Sequence, residues 1–431
     1  MNHNKRNYYI SIAILAFMYF VIGFVSWVNA ILIPYFKIVC ELTEFLSYLV
    51  AFAFYIAYFV MSIPAGMLLK KVGFKKGMMI AFFFLSVGAL IFVPAAMTRI
   101  YLVFLVGLFT MGTGMAILQT AVNPYVTLIG PIGSTVPRMS IMGVCNKSAG
   151  ILSPLIFSAL VLKASDKALF DALPTMAEAA KSIALNELTQ RMMIPYACLS
   201  VLLLGAGLFI RYSILPEINT EKESAEVTAS HGGKTNVLQF PYLVLGVFAI
   251  FTHVGTQIIS IDTIIPYASS MGVNLLDSKS FPAYVLATMV AGYFIGISFI
   301  PKFVSQTNGL RACTISGLIL SFFILFVPGQ LPFKGQEISI SIWFIVLLGL
   351  PNSLVYAGIW PLAIRDLGRF TKTGSSMLIM ALCGNALFPL IYGYFADIVG
   401  TRPAYWVLIP CYLYLVFYSV WGFKIKNWTR K

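Results

Sequence analysis

Residues 215–240 read LPEINTEKESAEVTASHGGKTNVLQF, a Glu, Ser and Thr rich stretch of linker composition in a chain that is otherwise strongly apolar. Six apolar windows precede it, near 10–34, 46–69, 78–97, 100–124, 139–162 and 193–214. Six follow, near 240–268, 282–301, 312–329, 340–363, 374–396 and 403–423. Each is about 20 residues long, enough to span ~30 Å of hydrocarbon at 1.5 Å per residue. The stretch therefore divides twelve predicted membrane spans into two sets of six, which sets the expected domains at 1–214 and 239–431, joined by a linker at 215–238. The expected fold class is an all-α membrane protein of two six-helix bundles.

Composition agrees. Hydrophobic residues make up 59% of the 431 and charged residues only 10%, and the mean hydropathy is +0.89, well outside the range of soluble domains. The first window far exceeds the 7–15 apolar residues of a secretory signal and lacks a small-residue cleavage site, so it is read as a span. With the N-terminus inside, 19 of the 29 Lys and Arg fall on inner segments and nine on outer ones, which predicts cytoplasmic termini. The same dispersal accounts for the net charge of +14 without a nucleic-acid partner. The six cysteines show neither metal-site nor disulfide spacing and are read as packing residues.

The halves also repeat. Tyr58-Phe59 recurs as Tyr293-Phe294, Gly73 as Gly309, Pro124 as Pro361 and Pro154-Leu155-Ile156 as Pro389-Leu390-Ile391, at offsets of 235 to 237 residues. Duplicated halves facing one another across a membrane are a common plan of secondary transporters, with substrate held near the midplane between them. Attention thus moves to polar residues in mid-span.

The most expensive of these is Lys147, because a lysine at bilayer depth needs a partner or a wet cavity. It lies nine residues beyond Arg138, which at 1.5 Å per residue is roughly 13 Å, too deep to snorkel easily. Gly143, Lys147, Gly150 and Pro154 share one stripe, so its own helix leaves the ammonium uncovered; Asn146 precedes it. In the fourth span Gly112, Ala116, Gln119 and Asn123 share a face that suits a cavity wall, although helix packing with amides as glue competes as an explanation. Ser26 and Asn29 in the first span, and Asn352, Tyr356 and Trp360 in the tenth, add amides, a phenol and an indole. Such groups suit a polyhydroxylated ligand, whose hydroxyls are read by hydrogen bonds and whose apolar face lies on a ring. The seventh span places His253 and Gln257 on one face and holds Asp262, the carboxylate that falls clearly inside a span. Asp262 lies about 140° round the helix from Gln257 and toward the outer end, so pairing with Lys147 would need a break near Pro266 or a change of state.

No catalytic constellation or phosphate loop accompanies these residues. The GGKT at 232–235 has Thr228 where a phosphate-binding loop needs its first glycine. The chain is expected not to be an enzyme, and a gradient is expected to drive any transport.

Several stretches together resemble the fucose and galactose/glucose symporter family of the major facilitator superfamily, across nearly the whole chain. They are NAILIPYF (29–36), IPAGMLLKKVGFKKG (63–77), AILQTAVNPYVTLIGP (116–131), RMSIMGVCNKSAG (138–150), IWPLAIRDLG (359–368) and TKTGSSMLIMA (371–381). The chain is expected to be a bacterial inner-membrane protein that acts as a monomer in lipid. The resemblance implies a central cavity lined mainly by spans 1, 4, 7 and 10, with help from 5, 8 and 11, and alternating access between the halves. The expected substrate-binding residues are Asn29, Gln119, Asn123, Asn146, Lys147, Gln257, Asn352, Tyr356, Trp360 and Asn385, and the coupling candidates are Asp262, Lys147 and His253. No metal or cofactor is expected beyond H⁺ or Na⁺ as coupling ion. The family usually carries an acid where this chain has Ala30 and, in its fucose-type members, a glutamate where it has Gln119, so proton symport is not simply inherited. Import of a monosaccharide, probed against an uncoupled facilitator and a transporter-like sugar sensor, is the resulting expectation.

Overall fold

The computed structural model describes residues 2–129, 135–163, 165–215, 236–300, 303–365, 367 and 370–428. Most of the expected linker therefore lies outside the described residues. Among those described, twelve helices are long and apolar enough to cross a membrane, and each coincides with one window read from the sequence.

Several spans are interrupted. Span 1 runs as Asn2–Trp27 and Asn29–Val39, span 7 as Pro241–Asp262 and Ile264–Ser270, and span 10 as Ser341–Leu347 and Gly349–Ile364. Span 11 runs as Thr371–Met380 and Gly384–Val399, joined by a tight turn at Ala381–Cys383. Spans 4 and 5 are continuous, at Tyr101–Leu128 and Thr135–Val161. Spans 2 and 3 share one element, Leu49–Thr98, split where Gly73 takes φ 78°. Only glycine adopts that left-handed conformation without strain, so it marks the reversal. Span 6 is Met193–Tyr212, span 8 Phe281–Phe299, span 9 Gln306–Phe326 and span 12 Leu408–Val420.

The packing reproduces the duplication. Span 1 packs on span 5 as span 7 packs on span 11, span 2 on span 4 as span 8 on span 10, and span 3 on span 6 as span 9 on span 12. Contacts between the two halves obey the same shift of six, since span 5 packs on span 8 and span 11 on span 2. The periphery exposes large apolar side chains, among them Leu102, Leu202 and Ile398 at 67, 70 and 61%. Such a surface suits contact with acyl chains and is unlike that of a soluble monomer.

Two features outside the spans were not read from the sequence. A two-stranded antiparallel hairpin, Gln330–Phe333 with Gln336–Ser339, stands between spans 9 and 10, turning on Lys334 and Gly335, both at positive φ. Between spans 5 and 6 the short helices Asp166–Ala172 and Glu178–Gln190 are tied down by buried Asp166. It accepts from Arg191 Nη1 at 2.9 and 2.7 Å and from the Lys163 amide at 2.8 Å. Removing one member strands the other's charge, so Asp166→Ala is expected to cost about 3–5 kcal/mol. A clear drop in melting temperature in detergent checks this, and restoration by the paired Asp166→Asn, Arg191→Gln change should be at least partial.

Candidate functional site

Lys147 sits half-way along span 5 and is 6% exposed. Its ammonium Nζ lies 3.9 Å from the centroid of the Trp27 ring of span 1 and donates to Gln257 Oε1 of span 7 at 3.4 Å. The glycines of its stripe make room for rings from other spans. A Cβ on Gly150 would stand 2.3 Å from Trp27 Cδ1, and one on Gly143 would stand 3.1 Å from Tyr293 Cζ of span 8. Its own helix leaves the ammonium bare, as the stripe of small residues implies, and an indole from span 1 covers it in a cation–π contact.

A polar chain extends from this lysine through the first half. Trp27 Nε1 donates to Asn146 Oδ1 at 3.2 Å, and Asn146 Nδ2 donates to the Tyr19 carbonyl at 3.3 Å. The Tyr19 hydroxyl donates to Asn123 Oδ1 at 2.5 Å, while Gln119 Nε2 donates to the Tyr58 hydroxyl at 2.7 Å. Gln119, Asn123, Asn146 and Gln257 are all half-buried, so each keeps capacity for a further partner. On the facing side the rings of Tyr356 and Trp360 stack, with centroids 5.6 Å apart. Tyr356 lies within electrostatic reach of Tyr19, Tyr58 and Tyr293, which gathers phenols from both halves around one place.

The remaining expected residues divide. Asn385, half-buried, follows the break of span 11 by one residue. Asn352 is fully buried, and its Oδ1 accepts from Tyr412 at 2.8 Å and from Thr256 at 3.5 Å, so it faces spans 12 and 7 inside the second half. The Asn29 side chain lies outside the described residues. His253 is buried with neither ring nitrogen partnered among the described residues, and it lies within reach of the Lys147 charge. Asp262 is also buried and, among the described residues, without a hydrogen-bond partner; Lys147 bonds to Gln257 instead.

The stripe of span 4 also reads differently in three dimensions. A Cβ on Gly112 would stand 2.0 Å from the Phe54 carbonyl oxygen, and Ala116 is fully buried, so these small residues seat span 2 closely. Only its far portion, Gln119 and Asn123, faces the polar chain. Tyr19, Trp27, Tyr58 and Tyr293 were not among the expected binding residues; two of them, Tyr58 and Tyr293, were already paired by the internal repeat. Among the described residues no group of His, Cys, Asp and Glu could hold a metal ion. A cavity of about 360 Å³ lined by Lys37, Glu41, Pro266 and Asn274 lies at the end of the molecule opposite the termini, away from Lys147.

Two equivalent sets of six helices with a polar seam half-way along them define a polytopic membrane protein built as secondary transporters are. The sequence model of the Major Facilitator Superfamily matches residues 15–383. A glucose/galactose transporter of Brucella abortus is 30% identical over 424 residues, covering 98% of this chain and 96% of the relative. The L-fucose-proton symporter of Escherichia coli is 29% identical over 431 residues, covering 99% and 95%. The crystal structure of the transporter FucP in the outward conformation superposes with a TM-score of 0.72 at 26% identity, covering 96% of this chain and 98% of that one. The chain belongs to the Major Facilitator Superfamily, within its fucose and galactose/glucose symporter family. It is an integral protein of the inner membrane, and its relatives are transporters, not enzymes.

Proposed function

We propose that the protein imports a hexose of the glucose/galactose or fucose type by alternating access between its halves, 1–214 and 239–431, with both termini cytoplasmic and one chain as the working unit. The observation that carries this reading is the junction at Lys147, where Trp27 and Asn146 from the first half meet Gln257 from the second. A hydroxylated ring could replace the long Lys147 to Gln257 hydrogen bond with several of its own while lying on an indole or on the Tyr356 and Trp360 stack. The names of the relatives support the choice of sugar. Parting and rejoining of that junction is the motion alternating access requires.

Transport is read as cation-coupled, with H⁺ favoured over Na⁺ by the proton symporter relative, and with Asp262, His253 and Lys147 as the groups available for coupling. The uncoupled facilitator has one specific observation behind it, namely Ala30 and Gln119 at the family's acidic positions. Uptake of radiolabelled glucose, galactose, fucose and mannose into proteoliposomes separates the two, under a proton gradient, a sodium gradient or neither. Accumulation above equilibrium under the proton gradient is expected. Equilibration alone would make the protein a facilitator, and no uptake of any of the four would remove the hexose reading.

A further inference from the structure

Asp262 is the last residue of the first segment of span 7, at the break before Ile264. It is fully buried, and neither carboxylate oxygen has a hydrogen-bond partner among the described residues. Within electrostatic reach of it, from the other half, is Tyr48 at the head of span 2. Tyr48 is fully buried too, and its hydroxyl is likewise unpartnered. Two orphaned polar groups thus lie near one another, without touching, across a contact between the halves at the end opposite the termini.

Tyr48 is wedged into the second half. A Cβ on Gly393 of span 11 would stand 2.4 Å from Tyr48 Cδ2, and the rings of Tyr48 and Tyr392 meet edge to face at 5.9 Å. The Tyr405 hydroxyl shares a 2.7 Å hydrogen bond with Thr263, beside Asp262, and its ring contacts those of Tyr392 and Tyr267 at 4.9 and 5.5 Å. Just ahead of Tyr48, the amides of Glu44 and Phe45 donate to the Asp397 carboxylate of span 11 at 3.2 and 3.0 Å, latching the halves together. Glu44 in turn pairs with Lys37. The titratable and charged groups around this contact are therefore Tyr48, Tyr267, Tyr392 and Tyr405, with Glu44, Asp397 and Lys37 beyond. Among the described residues none of them neutralises Asp262 by an ion pair.

From this arrangement we infer that Asp262 is the proton-binding element of a gate at the end opposite the termini. The neutral acid fits the apolar, phenol-lined contact beside Tyr48, so the halves stay closed there. The carboxylate must be hydrated or paired, and hydration requires the contact to part. An acid holds its proton at low pH, so low pH closes this end and rising pH opens it. The inference rests on reading the chain as an alternating-access carrier, and it selects the proton as the ion. It also separates the proton site from the sugar site at Lys147.

Labelling of an introduced cysteine tests it without any sugar. Ser47 is fully buried in this contact, and Ser47→Cys, in full-length protein with Cys40→Ser, is exposed to a membrane-impermeant maleimide in proteoliposomes. Labelling, normalised at each pH to that of the same cysteine in SDS-denatured protein so that the pH dependence of the thiolate itself is removed, is expected to rise several-fold from about pH 5 to about pH 8, and to be low and flat with Asp262→Asn, which is permanently neutral. The same pH profile with and without Asp262→Asn, or labelling that follows sodium at constant pH, overturns the inference. Should Asp262→Asn fail to fold, Tyr48→Phe serves instead: it keeps the ring and removes the hydroxyl, and an unmoved labelling midpoint also overturns it. Because no sugar is present, failure here leaves the hexose reading standing, and failure of hexose uptake leaves this result standing.

Discussion

Replacing Lys147 with alanine is expected to weaken hexose binding by roughly tenfold to a hundredfold while leaving a folded protein. The magnitude follows from the loss of a charged hydrogen-bond donor, worth about 1.5–3 kcal/mol, each 1.4 kcal/mol being a factor of ten in Kd. The loss of the Trp27 contact adds to it. Lys147→Gln keeps a donor and discards the charge, so an intermediate Kd is expected. Isothermal titration of the purified variants against their melting temperatures discriminates between two roles. A residue that merely staples span 5 to span 7 would give a lower melting temperature with an unchanged Kd, and that outcome would contradict the proposed site.

The second large effect is steric. A Cβ on Gly23 of span 1 would stand 1.9 Å from the carbonyl oxygen of Asn146 on span 5. The obstacle is backbone, so relief requires the two helices to separate, and overpacking of this kind typically costs about 1–3 kcal/mol. Gly23→Ala is therefore expected to lower the melting temperature and to abolish binding, since Asn146 and Lys147 move with span 5. Gly150→Ala makes an instructive contrast. Its Cβ would stand 2.3 Å from an atom of the Trp27 ring, and a ring can turn. That variant is expected to stay folded and to lose sugar affinity as the indole is pushed off the ammonium. Equal melting temperatures for Gly23→Ala and the parent would mean that spans 1 and 5 are not held as closely as described.

Much of the fold was legible because membrane insertion writes itself into hydropathy. Twelve windows gave twelve membrane-length helices among the described residues, since backbone groups in hydrocarbon must be satisfied within the segment. The offset of 235 to 237 residues foretold the shift of six in helix packing. The breaks were less legible: one near Pro266 entered only as what a pair of Asp262 with Lys147 would need, and span 7 breaks at Thr263, three residues earlier, without that pair. A proline perturbs the turn that precedes it, because it lacks the amide and crowds the carbonyl four residues back.

The site was read in part. Lys147, Asn146, Gln119, Asn123 and Gln257 were visible because polar residues in mid-span are costly and therefore conspicuous. The phenols and Trp27 were not, because Tyr and Trp also line packing seams and membrane interfaces. Periodicity put Asn352 on the face of Tyr356 and Trp360 but could not show that Tyr412, 60 residues away, takes its carbonyl oxygen. A helix face says which residues point together, and only the neighbouring helices say at what.

Counterflow is the most direct test of a hexose carrier, because it needs no gradient of any ion. Proteoliposomes are loaded with unlabelled sugar and diluted into a trace of the radiolabelled form. A transient overshoot of label with glucose, galactose or fucose, lost with Lys147→Ala, is the predicted result. Absence of overshoot with every one of these sugars, from protein shown to be folded by its melting transition, would contradict the proposed function.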